Sequence, residues 1–301
     1  FVTYLLLIYM LEMPNLIQLI PESKKLIGAT IPDLLNTFLN FENKVLIMFD
    51  VETLGLNPGY DYEQITEIAA CAISGDNMQE LKKINFKVEL SESAKELLEN
   101  TDSIQRFNWE RRQSKRGKTA FTDPNELLKM THYYEIKSKS ETEEFAIKKF
   151  YEFVEQYEDV ILVAHNANFD VSFVHIRGNQ YQLKFPTTTI LDTLRLSQFF
   201  FVPTVETLKT SVATELYERL SRKNRKRIHI SSRLGDLADA FKINSEMWHS
   251  ASADVDMMNQ VMVKIIKFLE TNKQTNIKLA QEKAIYRTLK KKRIPRKRGG
   301  N

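Results

Sequence analysis

The stretch KVLIMFDVETLG (44–55) places the tightest limit on how this chain can fold. Its five consecutive apolar residues are too few for a buried helix, and they stop abruptly at two acids and a turn. A run of that kind is a strand covered on both faces, which demands helices above and below a sheet. Two more runs, ITEIAACAIS (65–74) and INFKVEL (84–90), follow after the turn-rich segments GLNPG and SGDN, and predict an antiparallel meander. VILVAH (160–165) and TTTILD (187–192) read as further strands, alternating with helical patterns.

One of those helices carries Phe145, Phe150, Phe153, Val154 and Tyr157 on a single face; another begins near residue 169, and LGDLADAF forms a third. The last places Val255, Met258, Met262, Ile265, Ile266 and Leu269 at spacings that bury one side. Strands first in a meander and then alternating with helices imply an α/β fold: a mixed five-stranded sheet with helices on both faces. Residues 1–40 are read as a helical extension, 41–271 as the main domain, and 272–301 as a basic tail. Long polar, basic connections near 91–140 and 199–233 interrupt that domain. In the first of them, Arg106, Arg111, Arg112, Lys115, Arg116 and Lys118 interleave with Phe107 and Trp109, a mixture suited to gripping phosphates and stacking a base or, equally, to a solvated loop pinned by its aromatics.

Charge distribution says more than the net +4. Two acid-free runs, 219–233 and 287–298, hold seven and eight of the 43 Lys and Arg, so the remaining body is net acidic. Local engagement of a polyanion fits that pattern, as do merely solvated loops. A single cysteine, Cys71, inside an apolar run excludes an intramolecular disulfide and a multi-cysteine zinc site, and suits a reducing cytoplasm. The opening FVTYLLLIYMLE falls short of the ~20 apolar residues that a bilayer span needs, so no membrane segment is expected. Because it begins without methionine, the expected start is Met10 or Met13, or the chain is a fragment.

Chemistry concentrates in three places. Asp50 and Glu52, two apart at the end of a strand, project from one face of the sheet. Spacing alone proves little, since Asp61 and Glu63 repeat it in a loop. Asp170 follows VILVA within AHNANFD, either as a ligand-facing acid or as the cap of the next helix. His249 and Asp254 open the last helix, where the histidine is either catalytic or structural. Carboxylates brought close together would raise one another's pKa values unless cations neutralised them, and oxygen ligands favour Mg²⁺ or Mn²⁺ over zinc.

The blocks FDVETLG, ITEIA, VAHNANFD, ILDTL, LGDLADAF and HSASADVDMM, in this order, resemble the DEDDh 3′→5′ exonuclease superfamily of the proofreading-subunit type. That resemblance implies a ribonuclease H-like sheet and two Mg²⁺ or Mn²⁺ ions on Asp50, Glu52, Asp170 and Asp254, with His249 as general base. It implies that Thr53 and Leu54 lie beside the terminal nucleotide, although Leu54 could instead be core. A related subclass with a tyrosine base would need Tyr where Ser250 stands. Glu67 is a candidate for orienting the acids and Asn166 for contacting substrate. Arg222, Lys223, Arg225, Lys226 and Arg227 are candidates for tracking the phosphate backbone. The activity expected is hydrolysis of DNA from its 3′ end to nucleoside 5′-monophosphates, in proofreading or end trimming, with a DNA polymerase as a candidate partner. The alternatives are an exoribonuclease of the same chemistry and a non-catalytic module that binds nucleic acid or a polymerase.

Overall fold

The computed structural model describes residues 17–18, 30–60, 63–99, 140–186, 188–224, 227–243 and 250–277. In chain order the elements are β1 (Ile17–Gln18), α1 (Ile31–Thr37), β2 (Val45–Thr53), β3 (Ile65–Ser74), β4 (Glu80–Lys87), α2 (Glu92–Glu99), α3 (Glu143–Glu155), β5 (Val160–Ala164), α4 (Asn168–Gln180) and β6 (Thr189–Asp192). They continue as α5 (Thr193–Leu196), a π turn (Ser197–Phe201), α6 (Val202–Thr207), α7 (Ser211–Leu220), β7 (Ser221–Asn224), β8 (Arg227–Ile230), α8 (Leu234–Ala240) and α9 (Ala251–Thr271).

The sheet is mixed and matches the ribonuclease H-like expectation, in the order β6-β5-β2-β3-β4. Strands β2, β3 and β4 form the antiparallel meander, while β5 runs parallel to β2 and β6 parallel to β5. Side chains alternate between two cores. Leu46, Met48, Ala69, Cys71 and Ile73 lie in one with Val255, Met258, Met262, Ile265 and Leu269 of α9. Ile47, Phe49, Ile68 and Ala70 lie in the other with Ile147, Phe150 and Val154 of α3 and Phe173 and Val174 of α4. Phe49 and Phe150 meet across the second interface with ring centroids 5.1 Å apart.

Four expectations need correction. The 1–40 segment is not simply helical, because β1 pairs in parallel with β6 and adds a short sixth strand to the edge. The third meander strand lies earlier than INFKVEL, since its ladder begins at Glu80 and its polar, alternating residues hid that end from an apolar search. Phe145 stands on the outer side of α3, 37% exposed, and the buried face is built from Ala146, Ile147, Phe150, Phe153 and Val154. Residues 199–233 are no extended connection: they fold into helices and a hairpin whose Phe199, Phe200, Phe201, Val205, Leu216 and Leu220 are buried. Dense charge around those side chains masked them. The basic-aromatic segment 106–118 lies outside the described residues, as do residues 278–301 of the tail. Among the described residues, no helix is long and apolar enough to cross a membrane.

A buried ion pair joins the second core to the start of β3. The Glu143 carboxylate accepts from Arg177 Nε at 3.0 Å, Tyr181 Oη at 2.7 Å and the Ile65 amide at 2.8 Å. Both charged side chains are only 5% exposed, so removing one would strand the other in a low-dielectric interior. Arg177→Ala is expected to lower stability by about 3–5 kcal/mol, measured by chemical denaturation; a loss below about 1 kcal/mol would show that Glu143 finds other partners.

Candidate active site

Parallel pairing points β2, β5 and β6 the same way, so their C-terminal ends share one edge of the sheet, the usual place for ligands in α/β folds. Asp50 and Glu52 lie near that end of β2, Asp192 closes β6, and Asp170 sits in the first turn of α4 directly after β5. The N-terminus of α9 approaches from above with Asp254 in its first turn. Asp50, Glu52 and Asp254, all half-buried, each offer a carboxylate oxygen within 4.8 Å of the others, and together they could hold a metal ion.

Several contacts fix this arrangement. Glu67 faces Glu52 across the β2–β3 ladder, is almost wholly buried, and accepts from the amide of Ala251, the first residue of α9. Ser250 caps the same helix by accepting from Ala253 N at 3.3 Å. One turn beyond, Lys83 of β4 donates to both oxygens of Asp256 at 2.6 Å. Asp170 stands outside the trio but close enough to act electrostatically on Asp50, and its Oδ1 accepts from Val51 N at 3.2 Å.

Crowding shifts the acids in one direction. Burial raises Asp50 well above the ordinary carboxylate range, with further increases from Asp170, Glu52, Asp254 and Glu67. Glu52 is pushed up to about 7 by burial, Asp254 and Glu67. Burial also raises Asp170 strongly; the Val51 amide opposes that rise, while Asp192 and Glu52 add to it. Oxygen-only donors of this kind fit a hard divalent cation such as Mg²⁺ or Mn²⁺, whose charge offsets the repulsion.

The loop after β2 is held closed. Leu54 N donates to Gln64 O at 3.1 Å, and Glu63 accepts from Leu56 N at 2.6 Å and Asn57 N at 2.5 Å. Gly55 packs so tightly on Glu63 that a Cβ would lie 2.2 Å from its Cδ. Thr53 donates to Gly55 O at 2.6 Å. Leu54 is buried at 3% exposure, in agreement with its core reading, whereas Leu56, which the sequence did not single out, is 43% exposed.

The other sequence candidates divide. Asn166 is exposed in a left-handed conformation (φ 72°), which Asn tolerates, and its amide donates to Asp192 Oδ1 at 3.1 Å. Arg222 is engaged within the protein: it donates to Asp236 Oδ1 at 2.6 Å and to Arg219 O at 2.6 Å. Lys223 and Arg227 belong to the β7–β8 hairpin, while Arg225, Lys226 and His249 lie outside the described residues. Asp192 is the acid that sequence reasoning missed, although its position at the end of an apolar strand, like that of Asp50, was a usable signal.

No family model matches the chain. It is 28% identical over 203 residues to a DNA polymerase III of the PolC type from Pediococcus pentosaceus, covering 66% of this chain and 11% of that protein. A PolC-type polymerase from Ureaplasma parvum is also 28% identical, over 160 residues, covering 53% of this chain and 9% of the relative. The chain thus spans about a tenth of the length of the curated relatives it matches. Among solved structures, Escherichia coli exonuclease I bound to a dT13 oligonucleotide superposes with a TM-score of 0.51 at 15% identity, over 76% of this chain and 42% of that one. A product-bound exonuclease I gives 0.51 at 13% identity, over 76% of this chain and 46% of the other. The resemblance to the DEDDh exonucleases therefore holds in fold.

Raised carboxylates bind protons more tightly when folded than when unfolded, so without metal they remove stability as pH rises from the unfolded pKa toward the folded one. For Glu52 that window runs from 4.5 to about 7. The melting temperature of metal-free protein is expected to fall by a few degrees across it, and Mg²⁺ or Mn²⁺ at pH 7.5 is expected to restore the loss with proton release. Glu52→Gln should flatten the pH slope; an unchanged slope with no response to metal would contradict the crowding.

Proposed function

We propose that this chain is a metal-dependent 3′→5′ exonuclease that removes nucleoside 5′-monophosphates from DNA. The observation that carries the reading is the convergence of Asp50, Glu52 and Asp254 within 4.8 Å at the C-terminal edge of the sheet, with Asp170 acting on Asp50 from the adjoining helix. Such a set suits two-metal phosphodiester hydrolysis. DNA is favoured because one of the exonuclease I structures is a complex with a dT13 oligonucleotide and the sequence relatives are DNA polymerases, which also makes a polymerase a candidate partner.

In this scheme Asp50, Glu52 and Asp254 would hold one Mg²⁺ or Mn²⁺, and Asp170 would serve a second. When bound, the ions would activate a water and neutralise charge on the phosphodiester. His249, directly before the Ser250 cap in sequence, takes the proton of the attacking water. Glu67 keeps Asp254 in place by holding the first amide of α9. The closed loop forms the wall beside the terminal nucleotide through Thr53, with Leu54 buried beneath it. Residues 41–271 form the catalytic unit. Lys223, Arg225, Lys226 and Arg227 contact the phosphates upstream of the scissile bond, and Arg222 braces the hairpin through Asp236.

The test uses 5′-labelled single-stranded DNA, a duplex with a mismatched 3′ end, RNA and circular single-stranded DNA, each with Mg²⁺, Mn²⁺ or chelator. Stepwise shortening of DNA from the 3′ end, abolished by chelator, is expected. Asp254→Ala is expected to abolish it, and His249→Ala to slow it by roughly 10²–10⁴-fold. Full activity of Asp254→Ala would remove the catalytic assignment, preferential shortening of RNA would change the substrate, and cutting of the circle would mean an endonuclease.

A further inference from the structure

A second polar network lies outside the acid cluster, at the foot of the β7–β8 hairpin. Leu220 O accepts from Ser231 N at 2.9 Å, which closes the hairpin at its base. The Ser231 hydroxyl bonds Asp236, and Asp236 also takes Arg222, so the strand on each side is tied to α8. Beyond the hairpin, Ser232 O meets His165 Nε2 at 2.9 Å. A carbonyl can only accept, so Nε2 carries the proton and Nδ1 is left as an acceptor for the Thr193 hydroxyl at 3.0 Å. Burial pushes the ring down to about 4, so it is neutral at physiological pH and this tautomer persists.

His165 also lies where the catalytic edge is built. It follows β5 directly, its neighbour Asn166 donates a backbone amide to Asp192, and Asp170 opens the helix that comes next. Thr193, its other partner, is the first residue after β6. One neutral ring therefore joins the ends of two parallel strands to the base of a basic hairpin.

We infer that His165 is a positioning residue that latches the β7–β8 hairpin to the catalytic edge, so that the hairpin flanks the path of an incoming nucleic-acid strand. The inference rests on the exonuclease reading for its substrate, while the latch itself is a property of the fold. A strand too short to reach the hairpin does not use the latch.

The experiment compares the full-length parent, His165→Leu, His165→Gln, Thr193→Val and a hairpin variant with Lys223, Arg225, Lys226 and Arg227 changed to Gln. Trypsin nicking within residues 221–230 is expected to be faster in His165→Leu, and His165→Gln, whose carboxamide can still donate to Ser232 O, should regain protection. On a 30-nucleotide single strand His165→Leu should raise KM about tenfold, the worth of one well-placed hydrogen bond, with kcat on a dinucleotide unchanged. The KM effects of His165→Leu and the hairpin variant should overlap rather than add. Should His165→Leu fail to fold, Thr193→Val, which keeps the side-chain shape, must show the same effects in smaller measure. Unaltered nicking, additive KM effects, or an equal fall in dinucleotide turnover would overturn the latch. If the parent degraded neither substrate, the exonuclease reading would fall and the nicking pattern would still decide the latch.

Discussion

Mutual repulsion among carboxylates is the constraint around which this protein is organised. Two unit charges 4.8 Å apart repel by roughly 3 kcal/mol at an effective dielectric of 20, and Asp50, Glu52 and Asp254 make three such pairs. Proton uptake relieves part of that repulsion when no cation is bound, as the raised Asp50 and Glu52 carboxyls show. A chain that brings these acids together must hold them against that force. Here the means are the Glu67 bond to the start of α9, the Ser250 cap and the Lys83–Asp256 ion pair, with Val51 fixing Asp170 on the opposite side. The Ser250 cap is local to α9, and the other three each link a site element to a strand of the sheet.

The sheet was legible because burial on two faces leaves a plain mark in sequence. β2, β3, β5 and β6 are runs of apolar residues, and their helices carry three- and four-residue spacings. Asp50, Glu52, Asp170 and Asp254 were legible as a set through the ordered motif blocks that resemble the DEDDh exonucleases, since position alone did not single out Asp192, which ends an apolar strand as well. What stayed hidden lacked that contrast. The first half of β4 is exposed and lysine-rich, and the fold of 199–233 is covered by charge. Arg222 illustrates the limit of composition: its basic character was visible, but its partner Asp236 is fourteen residues away and is revealed only by the hairpin's geometry.

The two cores have unequal roles. Below the sheet, α3 and α4 pack aromatic side chains and hold the Arg177–Glu143 pair, which anchors the first residue of β3 and touches Tyr60 O in the loop after β2. Above it, α9 packs mainly methionine and branched aliphatic residues, and its first turn must present Asp254. Stability and site geometry thus meet at β2 and β3, which, like β5 and β6, send side chains into both cores.

Parallel pairing explains why the hairpin matters to the acids at all. Because β5 and β6 end side by side, the turn after β5 and the start of α5 are adjacent, and a single ring can bond to both the Thr193 hydroxyl and Ser232 O. Had β6 run antiparallel, Thr193 would lie at the opposite edge and the hairpin's foot would have no such anchor near Asp170. Direction of the strands therefore sets both the edge at which the acids meet and the anchor of the hairpin beside it.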